Sequence, residues 1–174
     1  PITDTLPKPL IIYKDITLLE NTINFLIKLK IDKIKINVFY LKDQITSFVK
    51  NKNFPVNIEI IDDGETILGT GGGILNLIKS SEEDDALVIN PDTIWDNSYI
   101  NSINKMEEIY FEKKIKNILL IVNNAFCFDK RFNGDFEIKN NILLKEKLNN
   151  FKYTGCQIFN RELILHKQLN YFPT

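Results

Sequence analysis

The distribution of apolar positions along the chain alternates between two periods. Leu18, Leu19, Ile23, Leu26, Ile27 and Leu29 recur near the helical spacing, and Thr17-Leu18-Leu19-Glu20 before them has capping-box spacing. A helix over 17–30 is therefore expected. Ile34-Lys35-Ile36-Asn37-Val38 alternates as a half-buried strand. Ile45, Phe48 and Val49 place one apolar face on a helix over 41–52, and residues 56–61 alternate again as a strand. Residues 74–79 read as a helix. Ala86-Leu87-Val88-Ile89 is a continuous apolar run, which suits a central strand covered on both faces. A helix over 98–113 and a second buried run, Ile118-Leu119-Leu120-Ile121-Val122, follow.

The rhythm then changes. Asp135-Phe136-Glu137-Ile138, the turn Asn140-Asn141 and Ile142-Leu143-Leu144 read as a hairpin, residues 151–159 as a strand, and Asn160 to Leu165 as the start of a last helix. The βαβαβα order predicts an α/β protein with a twisted, mainly parallel sheet, helices on both faces and a small antiparallel hairpin at one side. With 174 residues and 44% hydrophobic content, one domain over 1–174 is the expectation. No internal repeat or linker composition interrupts it.

Between strand 56–61 and helix 74–79, four of the seven glycines fall within five positions: Gly69, Gly71, Gly72 and Gly73. Glycine at that density marks backbone that turns sharply or comes close to another molecule. Strand, glycine loop and helix together present free N–H groups to an anion or a polar base edge. No Lys-Ser or Lys-Thr follows the glycines, and their spacing is not Gly-x-Gly-x-x-Gly, so neither a Walker loop nor a dinucleotide fingerprint is present. A turn needed only for packing remains the alternative.

A net charge of −1 and a pI near 5.9 supply no field for non-specific binding to nucleic acid or an anionic membrane. No apolar run is long enough to span a bilayer and no signal peptide is visible, so a cytoplasmic location is expected. Cys127 and Cys156 have no Cys or His at metal-ligand spacing, which leaves two reduced thiols. The single histidine, His166, makes a Ser-His-Asp or Cys-His site improbable. Trp95 and the phenylalanines read as core, and Glu82-Glu83-Asp84-Asp85 as a solvated loop.

Three residues carry candidate chemistry. Asp92 follows the buried run 86–89, at the strand end where open α/β sheets place ligands; it is a metal ligand or a helix cap, and Asp96 is the better cap. One carboxylate plus substrate phosphates suffices for magnesium. Lys8, between Pro7 and Pro9, sits on stiff extended backbone as a site residue or an ordinary solvated lysine. Glu65 precedes the glycines, where it meets a ligand or merely solvent.

Taken in order and separation, Leu6-Pro7-Lys8-Pro9-Leu10, the segment Gly64-Glu65-Thr66-Ile67-Leu68-Gly69-Thr70-Gly71-Gly72-Gly73-Ile74, and Leu87-Val88-Ile89-Asn90-Pro91-Asp92 resemble the sugar nucleotidyltransferases, or NDP-sugar pyrophosphorylases. The likeness is to the mannose-1-phosphate guanylyltransferase-like group that includes the N-acetylmuramate-1-phosphate uridylyltransferases, and it covers nearly the whole chain. It implies a Rossmann-like three-layer αβα fold. It also implies a magnesium-dependent enzyme that joins a nucleoside triphosphate to a sugar 1-phosphate and releases pyrophosphate. By resemblance, Lys8 meets substrate phosphate and Asp92 holds magnesium. Glu65, Gly69, Thr70, Gly71 and Gly72 bind the base and ribose. Asn123, Gly134, Asp135, Thr154 and Gly155 line the sugar-phosphate side.

The sequence departs from the family in three ways. The family opens with a strand and a glycine-rich triphosphate loop ahead of the Pro-Lys-Pro segment, and this sequence starts after them. A second metal-binding Asp in the family's later part has no match after Asp135. Pro91 stands where the family commonly has Gly. The expectation is thus a nucleotidyltransferase domain lacking its N-terminal strand and loop and its C-terminal part, with negligible catalysis if taken alone. A catalytically inactive nucleotide-binding or regulatory domain and a choline-phosphate-like cytidylyltransferase share the fold and remain open. The base, the sugar and the oligomeric state are not encoded in any motif here.

Overall fold

The computed structural model describes residues 2–128, 131, 133–140 and 142–168. The expected turn residue Asn141 lies outside them. The chain divides into two compact units: residues 1–86, 91–100 and 160–174 form one, and residues 87–90 and 101–159 the other.

In the first unit, β1 (Ile12–Tyr13) and β2 (Ile16–Thr17) form a small antiparallel hairpin. Lys14 and Asp15 both adopt positive φ, 47° and 71°, the backbone that matches the twist of a two-residue hairpin. No glycine or asparagine announces that turn. Helix α1 (Leu18–Lys28) begins where the capping signal places it, with Thr17 Oγ1 accepting the Glu20 N–H at 3.1 Å. Strand β3 (Lys33–Val38), helix α2 (Lys42–Lys52) and strand β4 (Asn57–Asp62) form a β-α-β unit whose strands pair in parallel, Ile34 opposite Ile58 and Ile36 opposite Ile60. Asn53 closes α2 in the left-handed region, which asparagine tolerates. Leu19, Ile23, Phe25, Leu26, Ile34, Val38 and Ile45 are buried here.

The glycine-rich stretch departs from the expected loop. Helix α3 (Gly69–Lys79) starts within it, so the glycines form its first turn, and Gly71, Gly72 and Gly73 are buried. Glycine costs a helix about 1 kcal/mol per residue relative to alanine, so packing rather than propensity sets this helix start.

In the second unit three strands lie in the order β5-β9-β6, formed by β5 (Asp85–Ile89), β6 (Asn117–Asn123) and β9 (Phe151–Asn160). The two apolar runs expected to be buried are half-buried instead, and they are not neighbours. β9 lies between them and runs antiparallel to β6. Helix α4 (Ser98–Glu112) contributes Ile103, Met106 and Tyr110 to the buried side chains, with Cys156, Ile158 and Phe159 from β9. The expected hairpin is present as β7 (Glu137–Lys139) and β8 (Ile142–Leu144), with Ile138 opposite Leu143. The last expected helix is shorter, a 3-10 turn over Arg161–Leu163.

Candidate functional site

Lys8 and Asp92 lie together in the first unit. Pro7 is extended (φ −60°, ψ 136°), and Lys8–Leu10 then makes one 3-10 turn rather than extended backbone, closed by Leu10 N–H donating to the Pro7 carbonyl at 2.8 Å. Buried Leu10 anchors the turn, which leaves the Lys8 side chain free to extend. Its Nζ donates to Asp92 Oδ2 at 2.6 Å.

The segment carrying Asp92 is fixed a few residues on by Trp95, which is 2% exposed. Its ring stacks on Phe25 of α1 at 5.8 Å and meets the edge of Tyr99 at 5.0 Å, while its carbonyl accepts from Asn21 Nδ2 at 2.9 Å. Asp96 takes the capping role: its Oδ1 accepts from the Ser98 hydroxyl and from the Ser98 N–H, and these bonds hold its carboxyl below the ordinary aspartate range. The cap alternative for Asp92 is thereby filled by Asp96.

Asp92 offers a hard oxygen donor, and a cation, the Lys8 ammonium, already sits on it. Among the described residues no three His, Cys, Asp or Glu side chains are grouped to hold a metal. Asp92 is thus a lone carboxylate, which could hold magnesium only as one ligand, with phosphate oxygens and water completing the shell.

In the glycine segment, Glu65 and Thr70 are exposed, and Gly69 opens α3 with φ 67°. The backbone around it is tied by side chains that local sequence patterns do not single out. Asp62 Oδ2 accepts from Lys42 Nζ at 2.6 Å and its Oδ1 from Gly64 N–H at 2.9 Å; the Lys42 bond, then the Gly64 bond, lower its carboxyl pKa. Asp63 accepts from Asn37 at 2.7 Å and from Asn76 at 2.9 Å.

The five sugar-side candidates all fall in the second unit, and each has a local structural task. Asn123 Oδ1 accepts the Ala125 N–H at 2.8 Å and so caps the 3-10 turn Asn124–Phe126. Gly134 donates to Asn149 O at 3.0 Å, and a Cβ there would stand 2.6 Å from Phe151 O. Asp135 Oδ2 accepts from Tyr153 N–H at 2.8 Å. Thr154 and Gly155 form a bulge in β9, because Leu120 pairs with Cys156 but Ile121 with Tyr153. Thr154 Oγ1 donates to Leu120 O at 2.9 Å, and the Gly155 carbonyl accepts from Asn90 N–H at 2.8 Å, fixing the strand end two residues before Asp92.

No family model matches the chain. It is 34% identical over 108 residues to the bifunctional protein GlmU of Methanococcus aeolicus, a stretch that takes in 60% of this chain and 24% of that protein's length. HddC from Yersinia pseudotuberculosis superposes with a TM-score of 0.75 at 21% identity, over 97% of this chain and 74% of HddC. HddC has also been solved with GMP-PN. The inositol-1-phosphate CTP transferase of T. maritima gives a TM-score of 0.80 at 14% identity, over 99% of this chain and 71% of that one. The chain shares the Rossmann-like fold of these solved structures, and it spans about a quarter of the length of its sequence relative.

Proposed function

We propose that this chain is the nucleotide-binding and catalytic portion of a magnesium-dependent nucleotidyltransferase, which joins a nucleoside triphosphate to a sugar 1-phosphate and releases pyrophosphate. The observation that carries the reading is the meeting of Lys8 and Asp92. A cationic side chain for phosphate and a carboxylate for a hard metal ion stand within one hydrogen bond of each other. Transfer of this kind needs anions positioned in line and developing charge neutralised, which asks for a lysine, backbone N–H groups and a metal rather than a histidine triad. Magnesium bound through Asp92 would supply further positive charge beside the phosphates.

In this reading Lys8 draws the phosphates, and Glu65, Gly69, Thr70, Gly71 and Gly72 receive base and ribose. Asn123, Gly134, Asp135, Thr154 and Gly155 shape the sugar-phosphate side. Their backbone bonds make most of these five scaffold for that region, with the Thr154–Gly155 bulge setting its outline. With a nucleoside triphosphate as substrate, the cytoplasm is the proposed compartment; among the described residues no helix is long and apolar enough to cross a membrane.

The test incubates the full-length protein with each of the four nucleoside triphosphates, magnesium and a panel of sugar 1-phosphates, and measures pyrophosphate. Release with one pairing, reduced at least a hundredfold by Asp92→Asn, is expected if the carboxylate supplies a main electrostatic contribution of the usual size. Absence of release with every pairing overturns the activity. Calorimetric binding of a triphosphate without turnover would make the chain a nucleotide sensor instead.

A further inference from the structure

The glycine segment is gripped at both ends by one carboxylate. Asp63 stands at its start and its backbone N–H donates to Val38 O at 2.9 Å, which fixes it to the end of β3. Its Oδ2 accepts from Asn37 Nδ2, also on β3, at 2.7 Å. Its Oδ1 accepts at 2.9 Å from Asn76 Nδ2 on α3, beyond the last glycine, and the same amide reaches Asp62 O at 3.1 Å. Gly73 lies directly against this cluster: a Cβ there would stand 2.7 Å from Asn37 Nδ2 and 3.5 Å from Asp63 Oδ2. Between these fixed ends run Glu65, Gly69, Thr70, Gly71 and Gly72.

Hydrogen bonds to an ionised acceptor are the stronger kind, and a carboxylate is the side chain that accepts from two amides without offering a donor of its own. Buried Leu68 is the one apolar anchor within the span, while Ile67 beside it is 65% exposed. Residues 69–73 are held within the first turn of α3, so it is the turn over 64–68 leading into them whose shape depends on its ends.

We infer that Asp63 is a positioning residue for nucleotide binding, holding the 64–73 segment in its binding shape through Asn37 and Asn76. This rests on the nucleotide reading of that segment and adds three residues to it. Asp63 acts through the backbone it holds, without touching the nucleotide. Loss of its clamp weakens nucleotide binding while the transfer step, which depends on Lys8 and Asp92, is largely retained.

An amide at position 63 has a single acceptor oxygen and sets a donor against a donor at one of the two contacts. Exchanging the pair, Asn37→Asp with Asp63→Asn, restores donor against acceptor at both. The experiment titrates the full-length protein with ATP, CTP, GTP and UTP in magnesium by calorimetry, with KM and kcat for any active pairing and a thermal unfolding curve for each variant. Asp63→Asn is expected to weaken binding of the preferred triphosphate about tenfold, to raise KM with kcat changed less than about threefold, and the exchanged pair to recover most of the affinity. Unchanged affinity in a folded Asp63→Asn protein overturns the inference and leaves the nucleotide reading standing. If that variant does not fold, Asn76→Ala removes one arm of the clamp, and unchanged affinity there overturns it equally. Binding of no triphosphate by the wild-type protein overturns both.

Discussion

The Lys8 ammonium lies 2.6 Å from Asp92 Oδ2 although 84 positions separate the two residues, and the side chains are 61% and 37% exposed. At that exposure an ion pair contributes about 0–1 kcal/mol, so the contact is not what holds the fold together. Its consequence is competition. Under the proposed reading, a metal ion taken up by Asp92 would displace the ammonium and leave it available to phosphate. Lys8→Met is therefore expected to raise the affinity for Mn2+ without nucleotide by up to about fivefold, the upper end of the ion pair's worth, and Lys8→Arg to leave it near wild type. Electron paramagnetic resonance of free Mn2+ measures this directly. An Mn2+ affinity left unchanged by Asp92→Asn would remove Asp92 from the metal role.

Gly73 and Asn37 set a test of packing with a change of sign. Glycine to alanine inside a helix gains about 1 kcal/mol on propensity, but a Cβ at 73 stands 2.7 Å from Asn37 Nδ2 and forces that amide off Asp63, at about 1–3 kcal/mol. Gly73→Ala alone should be neutral to destabilising by about 2 kcal/mol. Made together with Asn37→Ala, the same substitution should stabilise relative to Asn37→Ala by about 1 kcal/mol. Urea unfolding of the four proteins closes the cycle, and a destabilisation that persists in the Asn37→Ala background would show that the strain lies elsewhere.

These pairs mark what local pattern carries and what it does not. The capped α1, the separate strands β3 and β4, and the β7–β8 hairpin were all legible because each is specified by neighbours in sequence. The Lys14-Asp15 turn was not, since Lys14 is no turn former and Asp15 alone is too weak a signal, while β1 and β2 pair across them. The start of α3 was misplaced because glycine punctuates a sequence as loop, whereas here buried packing pulls Gly69 to Gly73 into the helix. The position of β9 between β5 and β6 is a long-range choice with no local signature. Motif spacing singled out Lys8 and Asp92, which the structure brings together; the contacts among Asn37, Asp63 and Asn76 have no such pattern, because three polar side chains at ordinary positions meet only once β3, β4 and α3 come together.

Gly155 is constrained by both its backbone conformation and its neighbour. Its φ of +86° disfavours any residue with a Cβ, and that Cβ would also stand 2.8 Å from Asn90 Cβ, a heavy-atom contact that cannot persist. Gly155→Ala combines backbone strain with overpacking and should cost about 2–4 kcal/mol. Because the Gly155 carbonyl receives the Asn90 N–H, the shift should also reach the strand end that leads to Asp92. Thermal unfolding and an Asp92-dependent Mn2+ titration read the two effects separately. A variant with wild-type stability would mean that the bulge relaxes without cost.

Cys156 gives the fold a sensitivity to alkali. The thiol is fully buried in β9, and burial pushes its pKa up to about 12. Below the unfolded thiol's pKa of about 8.5 both states keep the proton, and the contribution to stability is whole. Above it the unfolded chain releases the proton and the native state does not, so stability is lost progressively as pH climbs toward about 12. The slope attributable to this one group approaches about 1.4 kcal/mol per pH unit. Cys156→Ala should therefore flatten the fall in stability between about pH 9 and 11 relative to wild type, whatever it costs at neutral pH. Native Cys156 should also resist iodoacetamide at pH 8 on the timescale in which half-buried Cys127 reacts. Parallel stability curves for the two proteins, or rapid native alkylation at Cys156, would place the thiol in water and remove the burial argument.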